Sequence, residues 1–221
     1  MHIGLIGGIG PAATEFYYRG LVEAHAGSVQ PLELTIVHAD TAVLVNNLTS
    51  NSARAQAEIF SRHIEQLAGA GAEIAAVTSI AGHFCLSELE EISPLPLVSA
   101  LTTVEAELKH KGLSRVGLLG TRVAMETRLY GMVSGVEFVL PQKQDLNMVG
   151  REYIAMAKAQ RATDEQRQLF FDVGGRLCSE QGAEIVVLAG TDMFLAFENQ
   201  RLSFERMDCA KVHIQALSAL A

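Results

Sequence analysis

Eight positions carry groups suited to chemistry on a small anion: Gly8, Thr78, Ser79, His83, Thr121, Gly190, Thr191 and Asp192. In "TSIAGH", Thr78 to His83, two hydroxyls precede an imidazole. His83 suits a general base, because a helix N-terminus lowers an imidazole pKa and keeps the ring neutral. The same place suits a hydrogen-bonded structural histidine. In "AGTDM", Asp192 stands at the corresponding point and serves equally as a catalytic carboxyl or a helix cap. Thr78, Ser79 and Thr191 read as caps or as substrate contacts. "GIGPAA", Gly8 to Ala13, formally fits the glycine-rich dinucleotide fingerprint. The acidic residue expected about 20 positions on is missing, since Asp40 follows only some 30 later. The loop reads better as a set of backbone N–H groups for a small carboxylate or phosphate. Cys85, two residues beyond His83, is either a thiol activated at a helix N-terminus or a small buried apolar residue.

The elements that must position these groups occur twice. "GAEIAAVTSIAGH" at 71–83 is echoed by "GAEIVVLAGTD" at 182–192, and "HIGLIGGIGP" at 2–11 by "RVGLLGTRVA" at 115–124. Gly4 and Gly117 are 113 residues apart, Gly71 and Gly182 111, as duplication of a unit of about 110 residues would leave them. Ser79 and Gly190 each follow those second glycines by eight residues. Apolar segments ("IGLIG", "LELTIVHA", "EIAAVTS", "PLVSA", "RVGLLG", "VEFVLP", "EIVVLAG") alternate with amphipathic stretches that close on glycine. This pattern predicts parallel strands covered on both faces and hence an α/β fold. The expected architecture is two pseudo-symmetric, Rossmann-like parallel-sheet lobes with a ligand cleft between them. The first lobe is expected at 1–98, joined by a C-terminal helix at 205–221, and the second at 99–204. Ligands of such sheets sit beyond the carboxyl ends of the strands, which sends the loops bearing Gly8, Ser79, Thr121 and Thr191 to one place.

Composition narrows the partners. Hydrophobic residues make up 49% and charged residues 19% of the 221, a globular balance. A formal net charge of −8 disfavours nucleic acid or an anionic membrane. No apolar run approaches a bilayer span, and "MHIGLIGG" lacks a signal peptide's basic segment and cleavage site, so a cytoplasmic location is expected. Three widely spaced cysteines suggest neither a disulfide framework nor a zinc ribbon. No metal and no cofactor is expected.

"IGLIGGIGPAAT", "GLLGTRVAMETRLY" and the two Gly-Ala-Glu-Ile strands with their loops resemble the aspartate/glutamate racemase family of cofactor-independent amino-acid racemases, over essentially the whole chain. The resemblance implies two pseudo-symmetric lobes, a homodimer, and two cysteines that exchange a Cα proton from opposite faces, one in a "CNTxH" loop and one in "GCTE". Set against those loops, Ser79 and Gly190 take the cysteine positions, Ile80 and Ala81 those of the asparagine and threonine, and Thr191 and Asp192 those of the threonine and glutamate. A serine hydroxyl is a far poorer base than a thiol of pKa about 8.5, and glycine carries no proton to give. The expected function is therefore an isomerase or lyase on a small amino acid or related carboxylic acid. Ser79, His83 and Asp192 are its candidate catalytic groups, and Gly8, Thr78, Thr121, Gly190 and Thr191 its candidate substrate contacts. The alternative is a non-catalytic small-carboxylate-binding protein.

Overall fold

The computed structural model describes residues 1–221, which divide into two compact units, Met1–Ala100 with His213–Ala221, and Leu101–Val212. Unit 1 runs through β1 (His2–Gly7), α1 (Pro11–Ala24), β2 (Glu33–His38), α2 (Thr41–Thr49), α3 (Ala53–Gly69), β3 (Ile74–Val77), a 3₁₀ turn at Ala81–Cys85 and α4 (Leu86–Ile92). Its sheet has the order β2-β1-β3, all parallel. Unit 2 holds nearly all of α5 (Ala100–His110), then β4 (Arg115–Gly120), α6 (Arg122–Glu126), a 3₁₀ turn at Leu129–Gly131, β5 (Glu137–Val139), α7 (Lys143–Ala159), α8 (Asp164–Ser179), β6 (Ile185–Ala189), α9 (Phe194–Phe197) and β7 (Arg206–Asp208). Its sheet is β5-β4-β6-β7, again parallel. The last helix, α10 (Cys209–Ser218), starts in unit 2, and its residues from His213 onward belong to unit 1. The α/β fold with two parallel sheets is as the sequence predicts.

The repeated Gly-Ala-Glu-Ile does the same work in each unit. Gly71 and Gly182 have φ of +95° and +72°, the left-handed turn that lets α3 and α8 stop and the chain reverse into a strand. The next alanine is buried and donates its N–H back into the helix, Ala72 to the Leu67 carbonyl and Ala183 to that of Leu177, each at 3.0 Å. The glutamate reaches the neighbouring strand, where Glu73 accepts the His2 N–H and Glu184 the Arg115 N–H, both at 2.7 Å. Ile74 and Ile185 then open β3 and β6, in register with Ile3 and Val116. Gly4 and Gly117 complete the echo, since a Cβ on either would lie 3.0 Å from a methyl of Leu67 or Leu177. Strand and helix approach closely at the same point of both units.

Two segments depart from expectation. "PLVSA" forms no strand, only a bridge between Leu97 and Ala75. Residues 206–208 were expected within the last helix but form the edge strand β7, alongside β6. The helix starts where the Asp208 side chain caps the N–H of Ala210 at 2.9 Å. Residues 205–212 thus stay with unit 2.

The helix α8 is set by a capping box: Thr163 Oγ1 accepts the Gln166 N–H at 3.2 Å, and Gln166 Oε1 accepts the Thr163 N–H at 3.0 Å. Thr163→Ala is expected to cost about 1 kcal/mol, read as a lower urea midpoint with an unchanged slope.

Candidate functional site

At the carboxyl end of β1, Gly8 and Gly10 have φ of +89° and +84°. A Cβ on Gly8 would lie 2.4 Å from His38 Nδ1 and 2.6 Å from the Ala39 carbonyl oxygen, so only glycine passes there. The loop is latched by threonines that sequence reading missed. Thr14 Oγ1 accepts the Gly8 N–H at 2.8 Å, and the Thr41 hydroxyl donates to the Gly8 carbonyl at 2.8 Å. The Gly8 N–H, expected to meet an anion, is therefore engaged within the protein. Thr78, buried at the end of β3, donates to the Ile6 carbonyl at 3.1 Å and stands 3.4 Å from Thr14 Oγ1. Its hydroxyl ties β3 to β1.

Ser79 is buried, and its carbonyl accepts the His83 Nδ1–H at 2.7 Å. His83 Nε2 accepts the Ala100 N–H at 3.1 Å. Those two partners fix one neutral tautomer and occupy both ring nitrogens, an arrangement that holds backbone rather than one poised to move a proton. The imidazole pKa is lowered to about 4. The chief cause is desolvation, offset in part by the Ser79 carbonyl. Next to it lies His213, also fully buried, with its ring 6.5 Å from that of His83. The Tyr17 hydroxyl donates to His213 Nδ1 at 2.9 Å, and His213 Nε2–H donates to the Val98 carbonyl at 2.9 Å. The two histidines thus bind the backbone of Val98 and Ala100. Cys85 is buried, and desolvation pushes its thiol up to about 12, which keeps it protonated and unreactive.

In unit 2 the strand ends of β4 and β6 carry Thr121, Gly190, Thr191 and Asp192. Thr121 is the N-cap of α6, its oxygen accepting the Ala124 N–H at 3.1 Å. Thr191 and Asp192 are buried. Asp192 Oδ2 accepts the Tyr153 hydroxyl at 3.2 Å. Gly190 lacks a Cβ for a visible reason: one built there would lie 2.4 Å from Tyr153 Cε2, 2.7 Å from Cζ and 2.9 Å from the hydroxyl oxygen. The head of the phenol fills the space that a side chain at 190 would take. Burial and then the Asp192 charge raise the Tyr153 pKa well above its ordinary value, so the group is a neutral phenol. The Cys209 thiol is likewise held protonated by burial and by Asp208.

Tyr153 escaped the sequence reading, yet its signal was there. Leu146, Val149, Tyr153 and Met156 recur at helical spacing and form the buried face of α7. The tyrosine is the polar tip on that apolar stripe. A concavity of about 580 Å³ opens elsewhere, along α8 beside Phe171, Arg176 and Phe204, and none of the eight expected site residues lines it. No group of three or more His, Cys, Asp or Glu side chains is placed to hold a metal ion, and no helix is long and apolar enough to cross a membrane.

The sequence model of the Asp/Glu/hydantoin racemase family matches residues 6–217. Among solved structures, the chain is similar to a "putative Asp/Glu racemase" from Yersinia pestis, with a TM-score of 0.87 and 25% identity over 100% of this chain and 99% of that one. It is similar to an aspartate racemase homologue from Pyrococcus horikoshii OT3, with a TM-score of 0.81 and 24% identity over 99% and 98%. It also resembles the Picrophilus torridus aspartate racemase, with a TM-score of 0.81 and 16% identity over 100% and 94%. The last two likenesses speak to the fold alone.

Proposed function

This chain belongs to the Asp/Glu/hydantoin racemase family, and from that premise we propose that it acts on a small amino acid or related carboxylic acid by an isomerase or lyase reaction without two thiols. The observation that carries this reading is the Tyr153 phenol seated over Gly190, where it stands in place of any side chain. On the family alignment proposed above, the second thiol would belong at that position. At the first, Ser79 carries a hydroxyl of much higher pKa than a thiol. Inversion at Cα needs a base on one face and an acid on the other, and these residues do not make a matched pair. Thr191 and Asp192, just past the end of β6, are the groups of unit 2 proposed to meet the acid.

A second reading, a small-carboxylate-binding protein without catalysis, draws support from His83, whose ring nitrogens both serve the backbone. A homodimer, a cytoplasmic location, and action without metal or nucleotide belong to the same proposal, the homodimer on family kinship and the others on the sequence features given above. Calorimetric titration with amino and dicarboxylic acids, paired with chiral analysis of the aspartate and glutamate samples, tests the reading. Binding of at least one acid is expected, with racemisation of aspartate and glutamate absent or very slow. Tight NAD binding with none of the acids bound would overturn it.

A further inference from the structure

We propose that Tyr153 and Asp192 form the proton-transfer pair of unit 2, the phenol relaying a Cα proton of the bound acid to the Asp192 carboxylate on one face only. The inference rests on the small-acid reading above and names the groups that would carry its chemistry. Three observations support it. The phenol oxygen lies 2.9 Å from where a Cβ of residue 190 would be, beyond the carboxyl end of β6, where ligands of parallel sheets sit. Its hydroxyl already donates to Asp192 Oδ2 at 3.2 Å. Both side chains are buried, so the transfer has little competition from water.

The step balances without any co-reactant. The Cα–H bond breaks and its proton bonds to the Tyr153 oxygen, while the electron pair stays on the substrate as an enolate. The phenol's own proton moves along its hydrogen bond to Asp192 Oδ2, which becomes a neutral carboxylic acid. Tyr153 ends as it began, a phenol. A standing phenolate beside the Asp192 carboxylate would place two like charges in a buried site, and the relay avoids it. The reverse relay returns a proton to the same face, so exchange proceeds with retention of configuration. The Cys209 thiol stays protonated and takes no part.

The test is Cα deuterium exchange followed by NMR in deuterated water, on both enantiomers of aspartate, glutamate, alanine and serine, with calorimetry on the same acids. The wild type is expected to bind at least one of them and to wash out the Cα proton of one enantiomer only. Tyr153→Phe keeps the ring over Gly190, and Asp192→Asn keeps the shape of the carboxyl. Each is expected to slow exchange about 10²-fold or more, with affinity changed only a few-fold and the Phe variant still folded, melting somewhat below the wild type for the lost Asp192 hydrogen bond. Undiminished exchange by Tyr153→Phe would overturn the pair, as would equal exchange of both enantiomers. Binding without exchange would also overturn the pair while leaving the carboxylate-binding reading in place. Neither binding nor exchange would remove both.

Discussion

Between pH 6 and pH 4 the unfolding free energy is expected to fall by about 3 kcal/mol, and by about 5 kcal/mol in Asp208→Asn. His83 and His213 are fully buried, with pKa values lowered to about 4 and about 3, chiefly by desolvation. In the unfolded chain both titrate near 6.5. Over this window the unfolded state therefore takes up two protons that the native state refuses. Their stabilisation is present above pH 6.5 and is lost as pH falls toward the native values, at about 1.4 kcal/mol per unit for each. Asp208 opposes this. Desolvation raises its pKa to about 6, ahead of the lowering by the Ala210 and Lys211 N–H groups it caps. The native state accepts a proton there while the unfolded carboxyl is still ionised, so stability rises as pH drops from 6 toward 3.8. One opposing proton leaves a net of one, and asparagine, which still caps the helix, removes the opposition.

His213→Leu identifies the source. It should halve the steep slope of the Asp208→Asn background. At neutral pH it should cost about 2–5 kcal/mol, because the Tyr17 hydroxyl and the Val98 carbonyl both lose a buried partner. Urea unfolding across the pH range checks both statements. A flat profile between pH 6 and 4 in Asp208→Asn would mean that these histidines are not held neutral.

How much of this was legible in the sequence differs by residue. The duplication was legible because the demands on Gly-Ala-Glu-Ile are local: a left-handed turn, a small buried residue, a carboxylate two residues on and a strand start. Each needs one residue type, and the same four recur at Gly71 and Gly182. The strand β7 was not legible. Arg206–Asp208 has three residues, and its pairing with β6 comes from tertiary contact rather than from apolar alternation. The positions Ser79 and Gly190 could be read from equal spacing, and each does fall just past the end of its strand. What surrounds them could not. Tyr153 lies 37 residues before Gly190, and only the docking of α7 brings its ring there. His83 could be read as a hydrogen-bonded structural histidine, but its partner Ala100 could not be named, because it lies 17 residues on, at the end of the segment that forms no strand.

Gly190→Cys is expected to lower stability by about 3 kcal/mol or more, and Ser79→Cys with Gly190→Cys to show no racemase activity. A new Cβ would meet Tyr153 Cε2 at 2.4 Å, well inside van der Waals contact, so something must move. Overpacking of this kind commonly costs about 1–3 kcal/mol. Here the ring is anchored at both ends, by the buried face of α7 and by the hydroxyl bond to Asp192, so displacing it also breaks a buried polar contact worth about 1 kcal/mol or more. The thiol would be held in the wrong place or pushed into apolar surroundings, where its pKa rises and it ceases to be a base. Adding Tyr153→Ala to the double variant removes the ring and makes room. The triple variant should regain part of the stability lost through Gly190→Cys, although it forgoes the packing of the phenol. It should also be the first of the series in which both positions carry a thiol with space to ionise. Melting temperatures and chiral assays on aspartate, glutamate and alanine decide the matter. If the plain double variant melts like the wild type and racemises any of these acids, the phenol swings aside freely and does not determine what residue 190 can be. If instead only the triple variant gains activity, Tyr153, more than the missing side chain at Gly190, is what keeps this protein from two-thiol chemistry.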